Sequence, residues 1–302
     1  MEKLNVIIDT DIGDDIDDAF ALSLAMQSPE LNILGVTTVF GDTLRRAKIA
    51  KRLLRLGACG HIPVRAGVGV PILNPTKFGR EQDYSKKPQT YIDSTDEESL
   101  DSDQTALDFL YEQIMGSDDP ISLITLGPLT NIGLLIATHR EVVGKIERII
   151  IMGGAFFMNF PEHNVVSDPE AAQIVFSSGI PITAVGLDVT FQCKLNDQQI
   201  KRLEGKDHPC LKFLMAMRRN WGGDVYLHDP LAVATAFDPT YVTLEKHLYM
   251  VEVQGVLARG FMVNVSDYNW GLSSKESTLH VARTVNDEAF IDMLMDRLDK
   301  YK

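Results

Sequence analysis

Cysteine is scarce in this chain, with Cys59, Cys193 and Cys210 the only three in 302 residues. They are odd in number and far apart, which argues against a disulfide frame and suits reduced thiols in a reducing compartment. No run of 18 apolar residues occurs, so neither a transmembrane helix nor a membrane partner is expected. The opening "MEKLNVIID" enters a strand without the basic segment and apolar stretch of a secretory leader, and the cytoplasm is the expected location. Positive charge is also short. Lys and Arg number 29 against 42 Asp and Glu, a net charge of −13, which disfavours nucleic acid as a partner, because phosphate backbones are bound through clustered basic residues. The most basic stretch, "LRRAKIAKRLLRLG", reads as the outer face of an amphipathic helix. Internal repeats, Gly/Ser linkers and breaks in composition are absent, so residues 1–302 are expected to form one domain. With 45% hydrophobic and 24% charged residues, the composition is that of an ordinary globular protein with room for a sizeable core.

What is present is an alternation of short apolar runs and helical patterns. "VII" at 6–8 precedes a helix near 17–27; "NILGVTTVF" precedes one over 43–56, with Asp42 placed to cap it and Gly57 to end it. "ISLITLG" leads to "PLTNIGLLIATH", with Pro128 suited to a first helical turn; "IERIIIMGG" leads to "DPEAAQIVFSS", and "PITAVGLDVT" follows. Runs such as "NILGVTTV" and "IERIIIM" are apolar on both faces, as parallel strands covered by helices are. Repeated units of this kind predict an α/β fold with an open, mostly parallel, Rossmann-like sheet flanked by helices. Ligands of such sheets bind beyond the carboxyl ends of the strands. Later segments, "LYMVEVQG" and "RGFMVNV", read as peripheral, antiparallel strands, and the polar stretch 76–104 as a surface excursion that could lie over the site.

The densest chemistry is "VIIDTDIGDDIDDAFAL", residues 6–22, with six aspartates between Asp9 and Asp18 and no Lys or Arg between Lys3 and Arg45. Apolar flanks pin these acids to a strand-to-helix turn, where like charges about 4 Å apart repel by roughly 1 kcal/mol even in water. A bound cation resolves that conflict. An EF-hand needs Gly at loop position six and Glu at twelve, where counting from Asp9 gives Asp14 and Phe20. An aspartyl-phosphate phosphotransferase also opens on D-x-D, but it offers no role for residues 14–18 and no clear glycine-rich phosphate cradle is present. Zinc prefers His and Cys, and no suitable cluster exists. A hard cation held by carboxylate and carbonyl oxygens fits, calcium first among them, and its further ligands should come from other strand ends. "YLHDPLAVA" supplies His228 and Asp229, although Asp-Pro there also reads as a helix cap. "PEHNVVSDPEAA" supplies Glu162, His163 and Asn164, its "SDPEAA" reading as a second cap. "TLGPLTN" supplies a tight strand–helix junction with exposed carbonyls.

Taken in order, "DTDIGDDIDDAFAL", "GVTTVFGD", "LGPLTNI", "MGGAF", "EHNVVSDPEAA", "GLDVT" and "HDPLAVA" resemble the inosine–uridine-preferring nucleoside hydrolases, closely over residues 4 to about 236. The resemblance implies one calcium ion at the base of a pocket and hydrolysis of the N-glycosidic bond of ribonucleosides. It implies Asp11 as a metal ligand that also contacts the nucleophilic water, Asp229 as the distant carboxylate ligand and the Leu126 carbonyl as the backbone ligand. Glu162 and Asn164 would bind the ribose hydroxyls, and His228 would protonate the departing base. The acid loop is two residues longer than the family's D-x-D-x-G-x-D-D. Anchored on the helix start, Asp17 becomes the ribose-binding acid and Asp18 the metal ligand; anchored on Gly13, Asp15 takes that place. Asp42 stands where the family commonly has Asn, free to cap the next helix, to add an acid near the ribose, or both. A homo-oligomer, dimer or tetramer, is a further implication, while purine or pyrimidine preference stays open. The chemistry is coherent in itself: clustered carboxylates suit an oxocarbenium-like sugar, a cation orients a diol and acidifies water, and His suits proton delivery. The other readings are a hydrolase of another N-ribosyl compound, such as a modified nucleoside or nicotinamide riboside, and a calcium- and ribose-binding protein without catalysis.

Overall fold

The computed structural model describes residues 3–73, 98–266 and 277–301, with the short strands Thr76–Lys77 and Arg80–Glu81. Its first half alternates β1 (Leu4–Thr10), α1 (Asp17–Met26), β2 (Leu31–Thr38), α2 (Thr43–Leu56), β3 (Val64–Ala66), the β4–β5 pair just given, α3 (Ala106–Gly116), β6 (Ile121–Thr125) and α4 (Thr130–Thr138). There follow β7 (Ile146–Met152), α5 (His163–Ser167), α6 (Pro169–Phe176), β8 (Ile182–Val185), α7 (Leu187–Thr190), α8 (Asp197–Glu204), α9 (Pro209–Trp221) and α10 (His228–Phe237). The chain closes with β9 (Val242–Lys246), β10 (Tyr249–Val251), β11 (Met262–Asn264), β12 (Leu279–Val285) and α11 (Asp287–Leu298).

Eight strands form one sheet in the order β3-β2-β1-β6-β7-β8-β12-β9, parallel except for the final β12–β9 pair. Along β1, Val6 and Ile8 enter an apolar core shared with α1, α2, α9 and α10, while Ile7 enters another with α3, α4 and α6. That alternation is the two-residue period of a strand buried on both faces, and it explains why the strands read as unbroken apolar runs. The order of strands reverses between β1 and β6, so their carboxyl ends open a crevice. The Leu126 N–H donates to the Asp9 carbonyl at 2.7 Å, which brings the end of β6 beside the acid loop.

Local expectations hold in most places. The Asp42 carboxylate caps α2 by accepting from the Arg45 N–H at 3.0 Å, and Asp168, followed by Pro169, caps α6. β10 and β11 pair antiparallel, outside the main sheet. Three expectations change. Pro128 lies ahead of α4, whose N-cap is Leu129. The strands β9 and β12, short or mixed in polarity, extend the main sheet unannounced by any pattern. The basic stretch of α2 is no outer face throughout: Arg46 is fully buried and Lys51 nearly so, its ammonium bound to the Gly60 carbonyl and Asp101. Most of the 76–104 excursion lies outside the described residues; its final part is held to α2 through Lys51–Asp101 and Arg55–Glu98. Among the described residues no helix is long and apolar enough to cross a membrane.

Candidate active site

The loop from β1 to α1 alternates anchors and acids. Ile12 and Ile16 are buried in the core, and Gly13 adopts a φ of 117° that a side chain would resist. The Ile12 N–H donates to Thr10 Oγ1 at 3.1 Å, and that hydroxyl donates in turn to the Asp18 carboxylate. Asp17 and Asp18 fall in the first turn of α1, where the helix dipole favours negative charge. Asp229 falls in the first turn of α10, and its N–H donates to Asp17 Oδ2 at 3.2 Å. Its carboxylate does not cap α10, whose N-cap is Leu227, so the capping account of "HDP" gives way to one in which Asp229 faces the acid loop.

Asp11, Asp14, Asp15, Asp17, Asp18 and Asp229 all line a cavity of about 510 Å³. Asp15, Asp17 and Asp18 each offer an oxygen within 4.8 Å of the others. At an effective dielectric near 20, each such pair repels by roughly 3–4 kcal/mol. Little water screens them, since Asp11, Asp17, Asp18 and Asp229 are between 2% and 7% exposed. Burial first, then the Asp18 charge, pushes Asp11 well above the usual carboxylate range, with the Arg46 guanidinium opposing. Burial and the charges of Asp17 and Asp18 do the same to Asp229, and burial with the Asp17 charge to Asp15. Burial raises Asp17 to about 6 and Asp18 to about 7. A donor set made only of oxygens, crowded and short of positive charge, is what a hard divalent cation satisfies.

The rest of the lining is polar at its base. Glu162 caps α5, taking the N–H groups of Gly154 (2.9 Å), Asn164 (2.7 Å) and Val165 (3.0 Å), while burial raises its pKa against those donors. The Asn164 amide Nδ2 donates to the carbonyls of Leu126 (2.6 Å) and Met152 (3.1 Å), tying the ends of β6 and β7 together. The Leu126 carbonyl keeps a second lone pair for another partner. His228 Nδ1 lies 2.7 Å from Thr190 Oγ1, leaving Nε2 as the ring's other polar atom. Burial lowers His228 to about 4, opposed by the Glu162 carboxylate. Above it Phe191 meets the His228 ring edge-on at 5.3 Å and Phe160 at 6.4 Å. Trp221, the last residue of α9 before the left-handed Gly222, also lines the cavity. These three aromatic side chains are 40–47% exposed, an apolar rim on an acidic base.

The structure thus brings together Asp11, Asp15, Asp17, Asp18, Leu126, Glu162, Asn164, His228 and Asp229. Asp42 stands apart, exposed at the N-terminus of α2 and not among the residues lining the cavity. Three features went unrecognised as part of the site: Arg46, whose stretch reads as an outer helix face, Thr190 and the aromatic rim. Thr190 belongs to "GLDVT" and could have been noticed there, but its partner is 38 residues away. Phe160, Phe191 and Trp221 carry no motif at all.

Comparison with known proteins agrees with this geometry. The sequence profile described as "Inosine-uridine preferring nucleoside hydrolase" matches residues 6–292. The chain is 36% identical over 315 residues to a pyrimidine-specific ribonucleoside hydrolase RihA of Shewanella sp. (strain MR-7), covering 98% of this chain and 96% of that one. It is 32% identical over 318 residues to uridine nucleosidase 1 of Arabidopsis thaliana, covering 99% and 94%. Among solved structures, a purine-preferring ribonucleoside hydrolase from Gardnerella vaginalis superposes with a TM-score of 0.85 at 27% identity, covering 98% of each chain.

Proposed function

The chain belongs to the inosine-uridine preferring nucleoside hydrolase family, and from that premise we propose that this ribonucleoside hydrolase depends on calcium held by Asp11, Asp18, Asp229 and the Leu126 carbonyl. The observation that supports it is the convergence of four nearly buried aspartates with Glu162, Asn164 and His228 in one cavity. Bound there, the ion would orient the ribose diol and lower the pKa of a water. Asp11 would act as general base, taking a proton from the water whose oxygen bonds to the anomeric carbon. Asp17, Glu162 and Asn164 accept from or donate to the ribose hydroxyls, and the surrounding carboxylates favour the positive charge that grows on the sugar as the C–N bond breaks. The electron pair leaves with the base, and His228 Nε2 supplies its proton while Thr190 holds Nδ1. The aromatic rim provides ring faces for the base.

Uridine and inosine are the substrates to assay first, since relatives are named for pyrimidine and for purine ribonucleosides. The expected result is free base and ribose in equal amounts, loss of activity on chelation, recovery with calcium chloride, and about one calcium per chain by elemental analysis. Binding of nucleoside without release of base and reducing sugar would reassign the protein as a binder. Full activity in metal-free protein would remove the calcium.

Which acids of the longer loop hold the ion is a separate prediction. Asp18→Asn weakens calcium binding by more than the ~10–100-fold typical of a supporting residue, whereas Asp15→Asn leaves turnover within a few-fold. Calorimetric titration of both variants checks this, and the opposite ranking assigns the ion to Asp15.

A further inference from the structure

Six aspartates stand in sequence without a nearby cation, yet the fold supplies one in Arg46, the first basic residue on the buried face of α2. Its guanidinium has no exposure to solvent. Nε donates to the Phe40 carbonyl at 2.6 Å; Nη1 donates to the Asp11 carbonyl and, at 3.2 Å, to that of Ile12; Nη2 pairs with Asp14 Oδ2 at 3.0 Å. The bonds therefore tie the acid loop after β1 to the turn after its neighbour β2. That second turn is held in an unusual shape, with Phe40 at φ 67° and Gly41 at φ 72°. The guanidinium also lies 5.9 Å from the centroid of the Phe40 ring.

The choice of partners matters more than the charge. Arg46 spends three of its four hydrogen bonds on backbone carbonyls and the fourth on Asp14, which lines the cavity, and none goes to the side chains of Asp11, Asp17, Asp18 or Asp229. Its charge opposes the rise of Asp11 and Asp18 from a distance, but its hydrogen bonds go mainly to the backbone of the loop. A planar fork reaching several carbonyls fixes backbone geometry instead, which an ammonium group cannot reproduce.

We propose that Arg46 is the positioning residue of the acid loop: it fixes the backbone of residues 11–14 so that the Asp11 carboxylate faces the cavity, with Asp14 Oδ2 as its side-chain partner. Resting on the calcium reading above, this makes the two residues by which the loop exceeds the family spacing a site of attachment, since Asp14 adds the one side chain that Arg46 holds.

Arg46→Lys is the decisive variant, because it keeps the charge and loses the fork. Calcium chloride is titrated calorimetrically into the chelated protein, and amide exchange is followed across the chain by mass spectrometry. The expected result is calcium binding weakened by about 10–100-fold, with exchange at residues 11–18 faster by about tenfold and exchange in α4 and α6 unchanged. Kinetics at saturating calcium should show a fall in kcat with little change in KM, because Asp11 is misplaced and the ribose-binding side chains are not. Asp14→Asn should show the same pattern at smaller size. Arg46→Lys binding calcium as tightly as the parent overturns the proposal, as does Arg46→Met binding it more tightly, which a role in charge alone requires. Faster exchange spread through the whole chain also overturns it. If the parent binds no calcium the metal assignment falls by itself, and loop-restricted exchange still supports or, when absent, overturns the role of Arg46.

Discussion

Asp11→Asn should lower kcat for uridine and inosine by at least about 10³-fold, within the range of a lost general base and with a ligand lost besides. The substitution keeps shape and volume, so packing beside the strand end survives. Space is tight there: a side chain on Gly127 would meet Asp11 Oδ1 at 2.9 Å and Val39 at 2.8 Å, which is why the chain after β6 can approach only as glycine. What Asn lacks is the negative charge and the ability to take a proton from water. The same loss relieves repulsion, because Asp11 is buried among Asp18, Asp15 and Asp14, with Arg46 as the opposing charge. Metal-free Asp11→Asn should therefore melt no lower than the metal-free parent, and calcium should raise its melting temperature little or not at all. Thermal unfolding with and without chelator, beside single-turnover kinetics, tests both halves. A variant that keeps turnover within tenfold would end the role of Asp11 as base. A variant that melts far lower would make Asp11 a structural residue. Sites that carry chemistry at a cost in stability show the expected combination.

The second large effect concerns His228. Its value to catalysis depends on how badly the leaving group needs a proton. His228→Ala should slow inosine hydrolysis by about 10²–10⁴-fold and leave p-nitrophenyl riboside nearly untouched, since that leaving group is stable as an anion. Burial lowers His228 to about 4, so the ring is uncharged in the free protein at neutral pH. The ring therefore takes up one proton from solvent as negative charge grows on the departing base and passes one from Nε2 to that base, with Nδ1 beside Thr190 at 2.7 Å, so it ends uncharged. His228 also precedes Asp229, and a purely structural part would be to order that residue at the start of α10. That account requires equal losses on both substrates together with weaker calcium binding. Measuring kcat for both substrates in saturating calcium separates the two outcomes, and equal losses would retire the leaving-group role.

Readability from sequence followed the range of each interaction. β1, α1 and the acid loop could be read because apolar flanks around dense charge are a local conflict, visible within 17 residues. Asp168 before Pro169 and Asp42 before Thr43 were readable as caps for the same reason, their partners being three residues away. Glu162, Asn164, His228 and Asp229 could be picked out as further donors, but "EHN" and "HDP" admit a bland account each, and their separate roles came only through resemblance. Arg46 could not be read at all. By pattern it belongs to a basic helix face, and only the loop 35 residues earlier turns it inward. The aromatic rim is hidden in another way, because Phe160, Phe191 and Trp221 come from separate loops and helix ends and share no spacing. β9 and β12 escaped because an edge pair, open on one side, carries no continuous apolar run.

The hydrogen bond from the Asp229 N–H to Asp17 joins residues 212 apart. Its consequence is temporal. A growing chain makes all six aspartates of the first loop within its opening 18 residues, long before α10 exists to close the floor beneath them. Loop closure over such a span is entropically expensive and comes late in folding. The acids of the first loop are therefore together before Asp229 joins them, and an ion held by Asp229 as well would gain that ligand only once α10 has docked. Under the calcium reading, that late contact would make the ion slow escape from the native state more than it hastens arrival.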